Sequence, residues 1–126
     1  MLIDDDRVDQ MIYKRILKRS GMTTDIVGFQ YAGDALSYLE DPASSPVDLI
    51  LLDINMPAMN GFEFLEAAKE QLSGERCIPV VMMLTTSMSP EDKERAKQFP
   101  EIKAYTNKPL QEAHLELARQ IVQGTN

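Results

Sequence analysis

Hydrophobic and polar positions follow two rhythms along this chain. In Asp48–Leu52 every residue after the first is apolar, and Pro79–Leu84, read PVVMML, is a second such run. Short continuous apolar runs belong to strands covered on both faces. Around them the period lengthens to that of a helix. From Arg7 to Ser20, Val8, Met11, Ile12, Ile16 and Leu17 recur at helical spacing, basic residues gather late, and Gly21 follows. Phe62–Leu72 repeats the pattern through Phe62, Leu65, Ala68 and Leu72. Leu110–Gln123 does so through Leu110, Leu115, Ala118, Ile121 and Val122.

Weaker signals fill the gaps. Met1–Ile3 is a stub of apolar strand, and Asp25–Phe29 reads as a second strand interrupted by Gly28. Ala32–Leu39 is a short helix closed by the loop EDPASSP. Ser89, Pro90 and Asp92 form a helix start, with serine as N-cap and proline in the first turn. That helix runs to about Gln98 with little apolar surface beyond Ala96. Ile102–Thr106 is a fifth strand. Five strand–helix units predict an α/β fold, one domain over residues 1–126: a doubly wound parallel sheet with helices on both faces.

Such sheets bind ligands beyond the carboxyl ends of their strands. The first strand ends in Asp4-Asp5-Asp6, the third in Asp53, the fourth in Thr85, and the fifth just before Lys108. All are expected on one edge.

Composition narrows the partners. The chain has 126 residues and a net charge of −7, which argues against nucleic acid or an anionic membrane. No apolar stretch approaches the ~20 residues of a membrane span. A single cysteine, Cys77, permits no internal disulfide and predicts a reducing, cytoplasmic compartment.

The edge residues carry chemistry together rather than singly. Asp4 or Asp5 placed beside Asp53 would repel it, and a divalent cation relieves that repulsion. An incomplete oxygen set suits magnesium, which keeps waters and is completed by phosphate. A calcium loop of the EF-hand kind is excluded, because the acids lack alternate spacing and Ala58 stands where glycine is needed. Asp53 is also a nucleophile able to form an aspartyl phosphate. Lys108, fixed before Pro109, would neutralise phosphoryl oxygens, and the Thr85 hydroxyl would donate to one. Tyr105 reads as core filler or as a ring with inward and outward positions. His114 reads as a helix-surface histidine, and the eight methionines as adaptable packing.

With these residues the chain resembles a response-regulator receiver domain, the phosphoacceptor of two-component signalling. The resemblance extends to Met56-Pro57 and Asn60-Gly61 in the loop after Asp53. It implies a flavodoxin-like five-stranded sheet in the order 2-1-3-4-5. It implies that Asp53 is phosphorylated, that Asp5 binds Mg²⁺ directly and Asp4 through water, and that the Asn55 carbonyl is a further ligand. Thr85 matches the switch hydroxyl, Tyr105 the switch aromatic, and Lys108 the lysine of the site. The implied phosphodonor is a sensor histidine kinase or histidine phosphotransfer protein. The implied output is a protein target on the 90–123 surface. Thr86 stands where the family usually has a smaller residue, and QFPEIKAY lacks the family's glycine-containing turn before the fifth strand. No output domain follows within these residues, so the chain reads as a single-domain regulator or as a receiver from a longer protein.

On this reading the chain is not an enzyme beyond its own phosphorylation and dephosphorylation. A phosphatase of the haloacid-dehalogenase kind would want an aspartate at position 55, where Asn55 stands, and a cap domain. A degenerate receiver serving only as an interaction module would not need Asp5, Asp53, Thr85 and Lys108 together.

Overall fold

The two apolar runs lie side by side. Leu49–Leu52 pairs in parallel with Val80–Met83, and both faces of the pair are covered. The computed structural model describes residues 1–21, 25–72 and 78–124. Its elements are β1 (Leu2–Ile3), α1 (Arg7–Arg19), β2 (Gly28–Phe29), α2 (Ala32–Glu40), β3 (Leu49–Leu52), α3 (Gly61–Gln71), β4 (Val80–Thr85), α4 (Pro90–Ala96), β5 (Ile102–Asn107) and α5 (Glu112–Gly124). The sheet is parallel throughout, in the order β2-β1-β3-β4-β5. The doubly wound, flavodoxin-like architecture is as the sequence leads one to expect. Cys77 lies outside the described residues.

Strand alternation divides the core into two layers. Ile50, Leu52, Val81 and Met83 pack with Leu36 of α2 and with Phe62, Leu65 and Ala68 of α3. Leu51, Met82 and Leu84 point the other way, onto Tyr13 and Leu17 of α1 and Leu115 and Ala118 of α5. One strand pair thus anchors helices on both faces.

Helix α1 departs from its periodicity. Val8, Met11 and Ile12 are exposed (62%, 60% and 45%), and the buried face is Gln10, Tyr13 and Leu17. The reason is polar. Gln10 Nε2 donates to Asp4 O at 2.9 Å and to Phe29 O at 2.7 Å, carbonyls just beyond β1 and at the end of β2. Buried carbonyls past a strand end need donors. A glutamine turned inward supplies them and rotates the apolar stripe outward.

Other differences are local. Helix α4 stops at Ala96, short of Gln98, and Ala96 is its one buried residue. Ser89 occupies the N-cap position, but its hydroxyl donates to Glu91 Oε2 at 2.6 Å instead of accepting from the backbone. Helix α5 begins at Glu112, leaving buried Leu110 outside it; His114 Nδ1 accepts from Gln111 N at 3.1 Å. The turn before β5 lacks a glycine and is anchored by buried Phe99. Its carbonyl accepts from Ile102 N at 3.1 Å, and its ring stacks on Phe62.

Candidate functional site

The sheet ladder extends into the acids themselves. Asp4 N donates to Phe29 O and Asp53 N to Ile3 O, both at 3.0 Å. Two aspartates therefore leave neighbouring strands at the same carboxyl edge, and both are buried. Carboxylate oxygens of Asp4, exposed Asp5 and Asp53 lie within 4.8 Å of one another.

Lys108 enters this cluster from beyond β5, after a backbone bond from its N–H to Thr85 O at 3.0 Å. Its peptide bond to Pro109 is cis. The ammonium Nζ lies 2.8 Å from Asp4 Oδ2, 2.9 Å from Asp9 Oδ2 and 3.3 Å from Asp53 Oδ2. Burial alone would lower the lysine pKa, but its hydrogen bonds to the Asp4 and Asp9 carboxylates and the charge of Asp53 outweigh it and raise it above the ordinary lysine range. For Asp4 the balance is reversed. Burial, joined by the neighbouring charge of Asp53, raises its pKa and outweighs the opposing effects of Lys108 and the Asp6 N–H.

Asp53 Oδ1 is buried and has no hydrogen-bond partner among the described residues. A buried carboxylate oxygen without a donor is costly. A hard cation held by the same three acids would satisfy it, so the donor set fits magnesium.

The loop after Asp53 is built around close backbone approach. Gly61 N donates to Ile54 O at 2.9 Å, and a Cβ at Gly61 would fall 2.5 Å from Asp53 O. Asn60 and Glu63 form a capping box that starts α3. Ala58 takes the left-handed conformation at φ 68°. Asn55, the predicted carbonyl ligand, lies exposed in this loop.

Thr85 ends β4 fully buried, but its hydroxyl faces its own loop, accepting from Ser87 N at 3.2 Å. Tyr105 is half-buried. Its hydroxyl donates to Ser87 O at 3.2 Å, as does Asn107 Nδ2 at 3.3 Å. Ser87 Oγ donates to Asp92 Oδ2 in the first turn of α4 at 2.5 Å. Thr86 is exposed.

Asp4, Asp5, Asp53 and Lys108 are thus brought together, while Thr85 and Tyr105 meet at Ser87. Sequence reasoning missed Asp9, Gln10 and Ser87. Asp9 was findable: it lies one helical turn after Asp5, at the start of a helix that begins on the site edge. A groove of about 740 Å³, lined by Met1, Leu17, Tyr38, Asp48 and Arg119 among others, opens at the opposite edge of the sheet, away from these acids. No described helix is long and apolar enough to cross a membrane.

Comparison with known proteins agrees with this geometry. The family model described as "Response regulator receiver domain" matches residues 1–120. A probable methanogenesis regulatory protein, FilR2 of Methanothrix harundinacea, is 36% identical over 87% of this chain and 71% of its own length. The chain spans smaller shares of other curated relatives, down to 15%. A two-component response regulator structure from Cytophaga hutchinsonii superposes with a TM-score of 0.88, at 26% identity, over 98% of this chain and 94% of that one. The Mn²⁺-bound form of the response regulator Rcp1 does so with a TM-score of 0.73, at 26% identity, over 98% and 87%. A five-stranded sheet that gathers three aspartates and a lysine at one edge, matched by the family pattern over nearly its whole length, places this chain in the response regulator receiver domain family of two-component signalling.

Proposed function

We propose that Asp53 is the phosphoacceptor of this receiver and that a sensor histidine kinase or histidine phosphotransfer protein supplies the phosphoryl group. The observation that carries this reading is the half-satisfied Asp53 carboxylate, buried, with Oδ2 near Lys108 and Oδ1 without a partner among the described residues. An Asp53 oxygen attacks phosphorus of the donor's phosphohistidine. The P–N bond breaks, the P–O bond forms, and the imidazole leaves with a proton. Lys108 holds its charge against the phosphoryl oxygens, and the Thr85 hydroxyl turns from Ser87 to donate to one of them. Hydrolysis reverses the state, as water attacks phosphorus and phosphate leaves Asp53 a carboxylate. Mg²⁺, held by Asp5, Asp53 and the Asn55 carbonyl with Asp4 acting through water, would neutralise charge on the transferring group.

The chain's chemistry is then confined to its own modification, and its output is contact with a protein target through α4, β5 and α5, the 90–123 surface. Exposed Val8, Met11 and Ile12 on α1, whose first turn carries Asp9 of the site, support a protein as phosphodonor. The net charge of −7 disfavours direct binding of nucleic acid, and we place the protein in the cytoplasm.

Incubation with acetyl phosphate and Mg²⁺ is expected to add one phosphoryl group labile to hydroxylamine, and Asp53→Asn to abolish it. Uptake by that variant at the wild-type rate would refute the assignment. Sustained turnover of phosphomonoesters would instead mark a phosphatase.

A further inference from the structure

Lys108 donates to three carboxylates, and one of them stands outside the acid cluster. Asp9 Oδ2 lies 2.9 Å from Nζ, closer than Asp53 Oδ2 at 3.3 Å. Asp9 is in the first turn of α1, but the cap of that helix is Asp6, which accepts from Val8 N and Asp9 N. Helix capping therefore does not account for the Asp9 side chain. Its backbone is well placed, because neighbouring Gln10 fixes α1 to the ends of β1 and β2. The Asp9 side chain is 26% exposed, against 7% for Asp4 and for Asp53, so it lies on the solvent side of the ammonium.

Charge makes this arrangement consequential. Without a cation, Lys108 is, among the described residues, the positive group paired with Asp4 and Asp53. A divalent cation at those acids takes over that charge and repels the ammonium. A lysine on a flexible stem would then leave for water unless a carboxylate beyond the cation held it.

We propose that Asp9 is the positioning residue for Lys108. Its carboxylate keeps the ammonium at the mouth of the site while a divalent cation occupies the acids, within reach of a phosphoryl group on Asp53. This deepens the reading of Asp53 as phosphoacceptor and rests on it. Asp9 touches no reacting atom and acts only through Lys108.

The test is side-chain ammonium NMR on the full chain with ¹⁵N-labelled lysine, with and without magnesium chloride. It is followed by the rate of acyl phosphate formation from acetyl phosphate. The Lys108 resonance is assigned by its loss in Lys108→Met. In the wild type it is expected to exchange slowly in both conditions. In Asp9→Asn it is expected to persist without Mg²⁺, held by Asp4 and Asp53, which also shows that the variant folds. With Mg²⁺ it should be lost to fast exchange. Acyl phosphate formation at saturating Mg²⁺ should fall roughly tenfold, what one charge-assisted hydrogen bond converts to, and recover largely in Asp9→Glu. A slowly exchanging Lys108 ammonium in Mg²⁺-loaded Asp9→Asn would overturn the proposal. If the resonances behave as expected but wild-type protein takes up no phosphoryl group, the role of Asp53 fails and the hold of Asp9 on Lys108 stands.

Discussion

Lys108 Nζ approaches Asp53 Oδ2 at 3.3 Å across 55 residues of sequence, and both side chains are nearly buried. In the metal-free protein this lysine offsets the repulsion between Asp4 and Asp53. Removing one partner of a buried ionic group leaves uncompensated charge, at about 3–5 kcal/mol. Lys108→Met is therefore expected to lower metal-free stability by that order in urea unfolding. Saturating Mg²⁺ should restore most of the loss, because a cation at the same acids replaces the missing charge. Equal losses with and without Mg²⁺ would show that the cation binds elsewhere.

The same pair has a pH signature. The folded-state pKa of Lys108 is raised above its ordinary 10.5, so its contribution to stability is fully present below that value. It is lost as pH rises through the higher folded-state value. The stability difference between wild type and Lys108→Met should stay level from neutral pH to about 10 and narrow above that, when followed by urea midpoints across the range. A difference that closed between pH 7 and 9 would contradict the linkage.

Asp5 differs from Asp4 and Asp53 in being exposed. It helps less than Asp4 or Asp53 to hold Lys108, and its charge serves mainly to crowd the other two. Asp5→Ala should weaken Mg²⁺ binding roughly tenfold, one charged contact's worth, while leaving metal-free thermal stability unchanged or higher. Calorimetric titration and a melting curve check both halves. Wild-type affinity in the variant would remove Asp5 from the ligand set.

How far the site was legible in the sequence depended on what each residue answers to. Leu49–Leu52 and Val80–Met83 were readable because a strand covered on both faces must be apolar throughout. Those strands carry Asp53 and Thr85 to the edge by topology alone. Asp4 and Lys108 followed from the same rule. What periodicity could not show was the competition inside α1, where two backbone carbonyls claim Gln10 and turn Val8, Met11 and Ile12 to solvent. Nor could spacing give the hydroxyl direction of Thr85, which depends on the turn that brings Ser87 N back over it.

Gly61 offers a test of loop geometry. A Cβ there would meet Asp53 O at 2.5 Å and Ile54 Cα at 3.2 Å, both backbone atoms that cannot swing away. Gly61→Ala should destabilise the protein by about 1–3 kcal/mol, as overpacking does. It should also slow acyl phosphate formation, because the backbone that must shift is that of Asp53 itself. A variant as stable as wild type with an unchanged rate would mean that the loop relaxes freely.

A phosphoryl group on Asp53 would reach the surface through the turn after β4. Ser87 is the meeting point. Its N–H donates to Thr85 Oγ1, its carbonyl accepts from Tyr105 and Asn107, and its hydroxyl donates to Asp92 of α4. If the Thr85 hydroxyl turns to a phosphoryl oxygen, Ser87 N loses its acceptor, and the bonds to Tyr105 and α4 must rearrange with it. Helix α4 resists little, since Ala96 is its one buried residue; beyond that, Arg95 holds it to α3 by Glu66 at 3.0 Å and by the Phe62 ring. Elements with few buried contacts move at low cost. Only a difference in affinity between the two states can drive the shift, and ~1–3 kcal/mol is the usual size of such coupling. Amide exchange with beryllofluoride, a phosphoryl mimic, and Mg²⁺ should therefore change across residues 85–108. In Ser87→Ala, which deletes the bond to Asp92, the response in α4 should shrink while that of the loop after Asp53 persists. Changes confined to the loops after Asp5 and Asp53, with residues 85–108 silent, would exclude this route.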